Sequence, residues 1–577
     1  MRQTKDKNIK LITRTDILIV ITIIFSILIV FRFFNIQVIK HKYFLALASD
    51  QQKMYEELVP ERGRIYIEDR FSKSLYPLAI NKRLNLVYAI PKQVKDVERV
   101  ASELENILEM PKDDILARIS KEDDQYEPIK HRVTDEKIEE IKSKDLDGIR
   151  FQPEDWRFYP DGDFASHILG FVGYVGDEKR GRYGIEGYYN DLLSGKEGYL
   201  STEKDPTGKF ISVGDEIFNR AQDGDDLVIT IDRYIQFKVE QKLQESVEKF
   251  GAENGTVIIM NPNNGEIIAM ANYPDFDLNK YSEVEDVRVF SNSAIYNLYE
   301  PGSAFKPIIM TAALDLGLVA PDTVVVDEGA IDVDEFTIRN FDGQANGNVT
   351  MTEILEKSIN IGMVKIGQKM GAKNIQRYIN KFGFNDLSGI DLDVEVPTSI
   401  EDYQKWSDAD QATITFGQGI VTTPMRLVTA MTAIANGGKL IQPRIVKKII
   451  HSAGDEEIIG TKEAREVISP SVSATASAMM VSVVENGFGE TAKIPGYKIA
   501  GKTGTAQVPN ENKAGYDPNK KIATFIGFGP VEDPQFVMLV KFDNPGGDVW
   551  GSTTAAPVFK EIAAELLRYY QIPPTEE

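Results

Sequence analysis

The chain has 577 residues, 42% of them hydrophobic, and carries a net charge of −22 from 88 acidic and 66 basic side chains. This length holds about two to four domains, and the apolar content excludes general disorder. The acidic balance argues against a nucleic-acid surface, and the absence of cysteine excludes disulfides and thiolate chemistry. The four histidines, His41, His131, His167 and His451, are scattered without an H-x-x-x-H pair, so no metal site is expected.

In chain order, the first element is basic and then apolar. Arg2, Lys5, Lys7, Lys10 and Arg14 outnumber Asp6 and Asp16 and precede an uncharged run, Ile17 to Phe31. Extended to residue 37, this run approaches the roughly 20 residues that a membrane-spanning helix needs. The expected layout is a cytoplasmic tail over residues 1–16 and a single transmembrane helix over 17–37. Everything beyond lies outside, because the basic flank stays cytoplasmic. The rival reading is a cleaved signal peptide. Its best cleavage site, Ala46-Leu47-Ala48, comes too far beyond the apolar run and after Arg32, Lys40 and Lys42.

Residues 38–220 are charged and mixed. They hold strand-like runs, RIYI and NLVYAI, and helical stretches, DVERVASELENILEM and TDEKIEEIKSK. The turn-rich NRAQDGDD closes this region, and the texture changes over residues 221–577. LVITID reads as a strand and RYIQFKVEQKLQESVEKF as an amphipathic helix. Two apolar runs flank Asn263-Asn264-Gly265, a hairpin signal. ATFIGFGP and QFVMLVKF are two more strands, and FKEIAAELLRYY closes the chain as a helix. Strands at both ends with helices between predict an α+β domain whose sheet is assembled from distant parts of the chain.

The chemistry-bearing candidate is EPGSAFKP, Glu300 to Pro307. Ser303 and Lys306 are three residues apart, share a helical face and can touch. A serine hydroxyl needs a nearby base, and a lysine serves only if it is held neutral. The same S-x-x-K spacing recurs at Ser201…Lys204 and Ser246…Lys249, so spacing alone does not select one. Two further motifs do. Ser358-Ile359-Asn360 is the one S-x-N in the chain, and Lys502-Thr503-Gly504 the one K-T-G.

S-x-x-K, S-x-N and K-T-G in this order are the signature of serine penicillin-recognising enzymes. The chain resembles class B, monofunctional penicillin-binding proteins, closer to the septal type, over nearly everything after residue 30. EPGSAFKP, NPNNGEIIAMANYPDFDLN, FGQGIVTTPMRLVTAMTAIANGG and GSTTAAPVFKEI are similar to transpeptidase-domain segments. RFYPDGDFASHILGFVG and GIEGYYNDLLSGKEG resemble the family's pedestal. RGRIYIEDR departs from the pattern: two extra residues precede the Asp-Arg pair and no Asn-Gly follows, so the local turn is unassigned.

The resemblance implies a serine β-lactamase-like α+β fold, with a central antiparallel sheet flanked by helices. This transpeptidase domain, 221–577, would stand on an α+β pedestal, 38–220, behind the single transmembrane helix. It implies a peptidoglycan D,D-transpeptidase that cross-links stem peptides ending in D-Ala-D-Ala through a serine acyl-enzyme and is blocked by β-lactams. Ser303 is then the nucleophile, Lys306 its base, Ser358 a proton relay, and Asn360 a holder of Lys306 and of the substrate amide. Lys502, which also lowers the Lys306 pKa, would hold the terminal carboxylate with Thr503 and Thr505. Gly504 would let the strand approach the substrate, and the N–H groups of Ser303 and Thr505 would form the oxyanion hole. No metal or other cofactor is implied. A membrane-embedded glycan polymerase and divisome proteins are the implied partners. An elongation-type transpeptidase, an anchored D,D-carboxypeptidase or β-lactamase, and a non-catalytic β-lactam sensor or divisome scaffold remain the alternatives. His167, Arg62, Arg64, Arg157 and Glu186 read as pedestal packing and ion pairs. Tyr273 and Phe276 read equally as cleft lining or as core.

Overall fold

The computed structural model describes residues 14–34, 53–121, 124–176, 178–203, 217–510, 515–547 and 550–575. The chain separates into two compact units, one of residues 1–61 with 195–223 and one of residues 62–194 with 224–577.

The first unit contains a 21-residue helix, Arg14–Phe34, whose side chains from Ile27 to Val30 are exposed. Of the expected anchor 17–37, residues 35–37 lie outside the described residues. Among the described residues no helix is long and apolar enough to cross a membrane. The unit also holds a three-stranded antiparallel sheet in the order Lys53–Leu58, Gly198–Glu203, Ile217–Asn219.

In the second unit, the expected central antiparallel sheet is present and has five strands. Its order is Ile267–Tyr273, Asn254–Met260, Phe536–Asp543, Tyr516–Gly529, Ala500–Pro509. Strands from residue 254 and from residue 536 are direct neighbours, paired from Asn254↔Asp543 to Met260↔Val537. The apolar runs are continuous because both faces are covered. Val257 and Ile259 pack with the helices Arg233–Phe250 and Ala555–Tyr569 on one face. Ile258 and Met260 join the core around the helices Lys306–Asp315, Pro424–Ala435 and Pro470–Asn486 on the other. The Asn263-Asn264-Gly265 turn joins the first two strands, with Gly265 at φ +78°. The helix Arg233–Phe250 begins where Asp232 accepts from the N–H groups of Tyr234 and Ile235, and ends at Gly251 in the left-handed region.

The pedestal strands are continuous with the catalytic part. Asp226–Ile229 pairs in parallel with Ile65–Glu68 and antiparallel with Val446–Ile450. Ile65–Glu68 in turn pairs with Leu75–Ala89. The turn left unassigned by RGRIYIEDR is closed by Asp69. Its carboxylate accepts from the N–H groups of Phe71 and Ser72, and Lys73 at φ +60° reverses the chain. The helices Val97–Leu108, Lys112–Ile119 and Asp135–Ser143 cover the strands beyond with their own apolar cluster.

Arg62 and Arg157 converge on the fully buried carboxylate of Glu186, each at 2.6 Å. Burial pushes the Glu186 pKa up, and the two guanidinium groups pull it further down, leaving it below its ordinary value. The Arg64 guanidinium donates to the Tyr66 hydroxyl. His167 is buried, with Nε2 2.8 Å from the carbonyl of Val289, and burial lowers its pKa to about 4. Phe276 stacks edge-on with His167, Phe171 and Phe290, so it is core.

Candidate active site

The stretch Glu300 to Pro307 folds as a turn of 3-10 helix, Gly302–Phe305, that runs into the α-helix Lys306–Asp315. The sequence reads as one continuous helix; the tighter first turn follows from Pro307. Proline has no N–H to return to the carbonyl of Ser303. That carbonyl instead accepts from the N–H of Lys306, closing an i→i+3 turn. In such a turn residues i and i+3 eclipse, which puts Ser303 and Lys306 on one face. Gly302 sits at φ +53°, and a Cβ there would lie 3.1 Å from the carbonyl oxygen of Thr505. The nucleophile turn therefore rests directly against the K-T-G strand.

Ser358 comes from the link between the helices Met351–Glu356 and Asn360–Met370, with a left-handed φ of +53°. This backbone costs about 1–3 kcal/mol in a non-glycine residue and is typical of functional positions. It turns the Ser358 carbonyl toward Lys306, whose Nζ donates to it at 2.6 Å. Lys306 Nζ also donates to Ser358 Oγ at 3.2 Å and to Asn360 Oδ1 at 2.8 Å. Lys502 Nζ reaches the same Ser358 Oγ at 3.0 Å and the carbonyl and hydroxyl of Thr503 at 3.1 and 3.3 Å.

Both lysines are fully buried, and no carboxylate pairs with either among the described residues. Burial, and then the charge of Lys502, hold the Lys306 pKa well below the ordinary lysine range. Burial alone lowers Lys502 to about 7. Both shifts favour the neutral amine, and the repulsion from Lys502 adds to burial at Lys306.

Asn360 is fixed from behind. Its Nδ2 donates to the carbonyl of Arg339 at 3.0 Å, and its N–H to Oδ1 of Asn340 at 3.0 Å. Asn340 Nδ2 is held in turn by both oxygens of the buried Asp327 carboxylate. Burial raises the Asp327 pKa, but hydrogen bonds from Asn346 and Asn340 outweigh it and leave the group below its usual range. No S-x-N pattern announces this support, which comes from residues about 20 and 33 positions upstream.

Lys502, Thr503, Gly504 and Thr505 lie on Ala500–Pro509, the edge strand of the sheet. The role expected for Gly504 is revised in part. A Cβ at Gly504 would lie 3.1 Å from the Ala304 Cβ and 3.1 Å from the Pro301 carbonyl oxygen. The close approach that glycine permits is therefore to the nucleophile turn. Thr505 Oγ1 accepts from the N–H of Gly551 at 3.2 Å, tying the strand to the loop that carries Trp550 and Ser552.

These elements surround a 540 Å3 cavity lined by Ser303, Ser358, Asn360, Thr503 and Thr505. Its remaining wall was not singled out from the sequence. It comprises Arg339 with Phe341, Phe416 with Gln418, Phe488, Gln507 with its cross-strand partner Lys521, and Trp550 with Ser552. Phe341 packs edge-on against Phe488 and Trp550, and Lys521 lies 4.8 Å from the Trp550 ring. Tyr273 is not among the lining residues. Of the other two S-x-x-K matches, Ser246 is buried within its helix and donates to the Lys242 carbonyl, and Lys204, the partner of Ser201, lies outside the described residues.

The penicillin binding protein transpeptidase domain family matches residues 255–564, more than half the chain, and the penicillin-binding protein dimerisation domain family matches residues 57–229. The chain belongs to the penicillin-binding protein transpeptidase family. The dimerisation domain ahead of the transpeptidase domain places it with the class B proteins. It is 33% identical to stage V sporulation protein D of Bacillus subtilis, over 92% of this chain and 82% of that one. It is 29% identical to the peptidoglycan D,D-transpeptidase FtsI of Buchnera aphidicola, over 100% of this chain and 99% of that one. Among solved structures, it superposes on a peptidoglycan synthetase from Bifidobacterium adolescentis with a TM-score of 0.72 and 27% identity, covering 91% of this chain and 98% of the other. Penicillin binding protein 3 of Mycobacterium tuberculosis in complex with aztreonam gives 0.69 and 25%, covering 90% and 99%.

Proposed function

We propose that the protein is a peptidoglycan D,D-transpeptidase acting through an acyl-enzyme on Ser303. The observation that carries this reading is a buried, carboxylate-free lysine one turn from a cavity-lining serine. Ser303 Oγ attacks the carbonyl of the penultimate D-Ala, and its proton passes to neutral Lys306 Nζ. The oxyanion takes the N–H groups of Ser303, in a first helical turn without intrahelical acceptors, and of Thr505. The amide C–N bond then breaks. The departing D-Ala nitrogen receives its proton through Ser358 Oγ, which both lysines touch. Lys502, Thr503 and Thr505 hold the terminal carboxylate, and Asn360 holds Lys306 and the substrate amide. An acceptor amine next attacks the acyl carbonyl and forms the cross-link; water in its place gives a carboxypeptidase product.

The assignment of residues 1–16 to the cytoplasm, 17–37 to the membrane and the rest to the outer side belongs to this proposal, as do the pedestal 38–220 and the catalytic domain 221–577. It is supported by the basic flank and the apolar run. A division role, with a membrane-embedded glycan polymerase and divisome proteins as partners, is supported by the similarity to a protein named FtsI. The similarity to a protein named for stage V of sporulation favours a second reading, wall synthesis during sporulation.

The test is to give the purified full chain a stem pentapeptide with an acceptor amine, then measure released D-Ala and cross-linked dimer by mass spectrometry. Wild type is expected to form both and Ser303→Ala neither. Release without dimer at saturating acceptor favours the carboxypeptidase, and rapid penicillin turnover favours the β-lactamase.

A further inference from the structure

The charge of the cavity is opposite to that of the chain. The sequence holds 88 acidic residues against 66 basic ones, yet among the described residues no aspartate or glutamate lines the cavity, whereas Arg339 and Lys521 do. Lys502 adds a third basic group just beneath the floor, through the Ser358 hydroxyl. One cation suffices for the single terminal carboxylate of a D-Ala-D-Ala donor, and the reaction assigns no task to the others.

Arg339 stands out among them. Its side chain is exposed at the cavity, and no ion pair or hydrogen bond of that side chain is found among the described residues. Its backbone, by contrast, is firmly placed. The hairpin pairs it with Ala330, its carbonyl accepts from Asn360 Nδ2, and its neighbour Asn340 is locked to the buried Asp327 carboxylate. A guanidinium mounted on a rigid rim beside the S-x-N motif, with its donors unused, is suited to bidentate recognition of a carboxylate. Lys502 and the threonines sit on the edge strand, whereas Arg339 sits on the wall that Asn360 builds. A group bound at Arg339 is therefore distinct from the terminal carboxylate held along that strand.

We propose that Arg339 is a specificity-determining residue that selects donor stem peptides bearing a second, un-amidated carboxylate upstream of the D-Ala-D-Ala pair. This rests on the transpeptidase reading given above. Two groups on a stem peptide supply that chemistry: the α-carboxylate of the γ-linked glutamyl residue, and a carboxylate on the side chain of the third residue. Amidation of either removes the charge and one acceptor oxygen without changing the peptide backbone.

The test uses four synthetic pentapeptides: both carboxylates free, each amidated singly, and both amidated. D-Ala release is followed with the full-length wild type, with Arg339→Gln and with Arg339→Lys. In wild type, amidation of the recognised carboxylate is expected to lower kcat/KM about tenfold or more, mainly through KM, and the single amidations identify which carboxylate it is. In Arg339→Gln, free and amidated peptides are expected to react alike. That comparison is internal to one protein and independent of its overall activity. Arg339→Lys, which keeps the charge and loses the fork, is expected to retain part of the discrimination and serves if the glutamine variant does not fold. Wild-type release that is indifferent to amidation overturns the inference alone, as does equal discrimination by wild type and Arg339→Gln. Failure of wild type both to release D-Ala from any peptide and to form a benzylpenicillin adduct overturns the underlying reading as well.

Discussion

Lys306 and Lys502 donate to the same hydroxyl, Ser358 Oγ, from 3.2 and 3.0 Å. Two amines that share one small oxygen in a fully buried site cannot both be charged at low cost, and burial together with the charge of Lys502 pushes the Lys306 pKa down. In the proposed mechanism the same hydroxyl is the route by which a proton moves from one side of the site to the other.

Replacing Ser358 with alanine removes that route and leaves the lysines facing an empty position. Acylation by a β-lactam is expected to fall by about 10²–10⁴-fold, the usual worth of a positioned proton-transfer group. Stopped-flow acylation with a chromogenic cephalosporin measures it. A loss of less than threefold removes Ser358 from the relay.

The pH dependence follows from the signs of the two shifts. Acylation needs neutral Lys306, so its rate rises as pH passes upward through the depressed Lys306 pKa. Removing the neighbouring cation with Lys502→Ala relieves the repulsion and raises the Lys306 pKa, so the rising limb is expected to move to higher pH. In wild type, binding of a carboxylate-bearing β-lactam weakens as Lys502 loses its charge above about 7. These limbs are read from second-order acylation constants between pH 5 and 10. An unmoved rising limb in Lys502→Ala contradicts the coupling.

Gly504→Ala places a methyl group 3.1 Å from both the Ala304 Cβ and the Pro301 carbonyl oxygen, tighter than ordinary van der Waals contact. Overpacking of this kind costs about 1–3 kcal/mol. Because the displaced atoms belong to the nucleophile turn, acylation is expected to fall about tenfold or more. Chemical denaturation and acylation rates on the same variant test the pairing of the two effects.

In the pedestal, Glu186→Ala leaves Arg62 and Arg157 facing each other in a buried site. Removing one partner of such a cluster costs about 3–5 kcal/mol. The sign with pH is that of a carboxylate held below its ordinary value. Its contribution is complete above the unfolded-state pKa and is lost as pH falls through the depressed folded value. Urea denaturation of wild type and variant at pH 7 and at pH 4 is expected to show the larger difference at pH 7.

The residues that converge on the cavity were legible in the sequence as motifs of fixed local spacing: Ser303 to Lys306, Ser358 to Asn360, and the run Lys502 to Thr505. Four strands of the central sheet and the helix Arg233–Phe250 were legible from apolar runs, amphipathic periodicity and turn residues; the fifth strand, Ala500–Pro509, has no apolar run. The rest was not, for physical reasons. The tight turn at Ser303 depends on the missing N–H of Pro307, a single hydrogen bond that periodicity does not register. The wall formed by Arg339, Phe341, Phe488, Lys521 and Trp550 has no local pattern, because its residues come from four stretches far apart in the chain. The parallel pairing of Ile65–Glu68 with Asp226–Ile229 joins segments about 160 residues apart, so the pedestal's continuity with the catalytic part has no local signal either.

The most direct test of the account is the intact mass of the protein after exposure to benzylpenicillin, followed by peptide mapping. One adduct per chain, located at Ser303 and absent from Ser303→Ala, is the predicted result. An adduct on any other residue, or one that persists in Ser303→Ala, contradicts the assignment of Ser303 as the nucleophile.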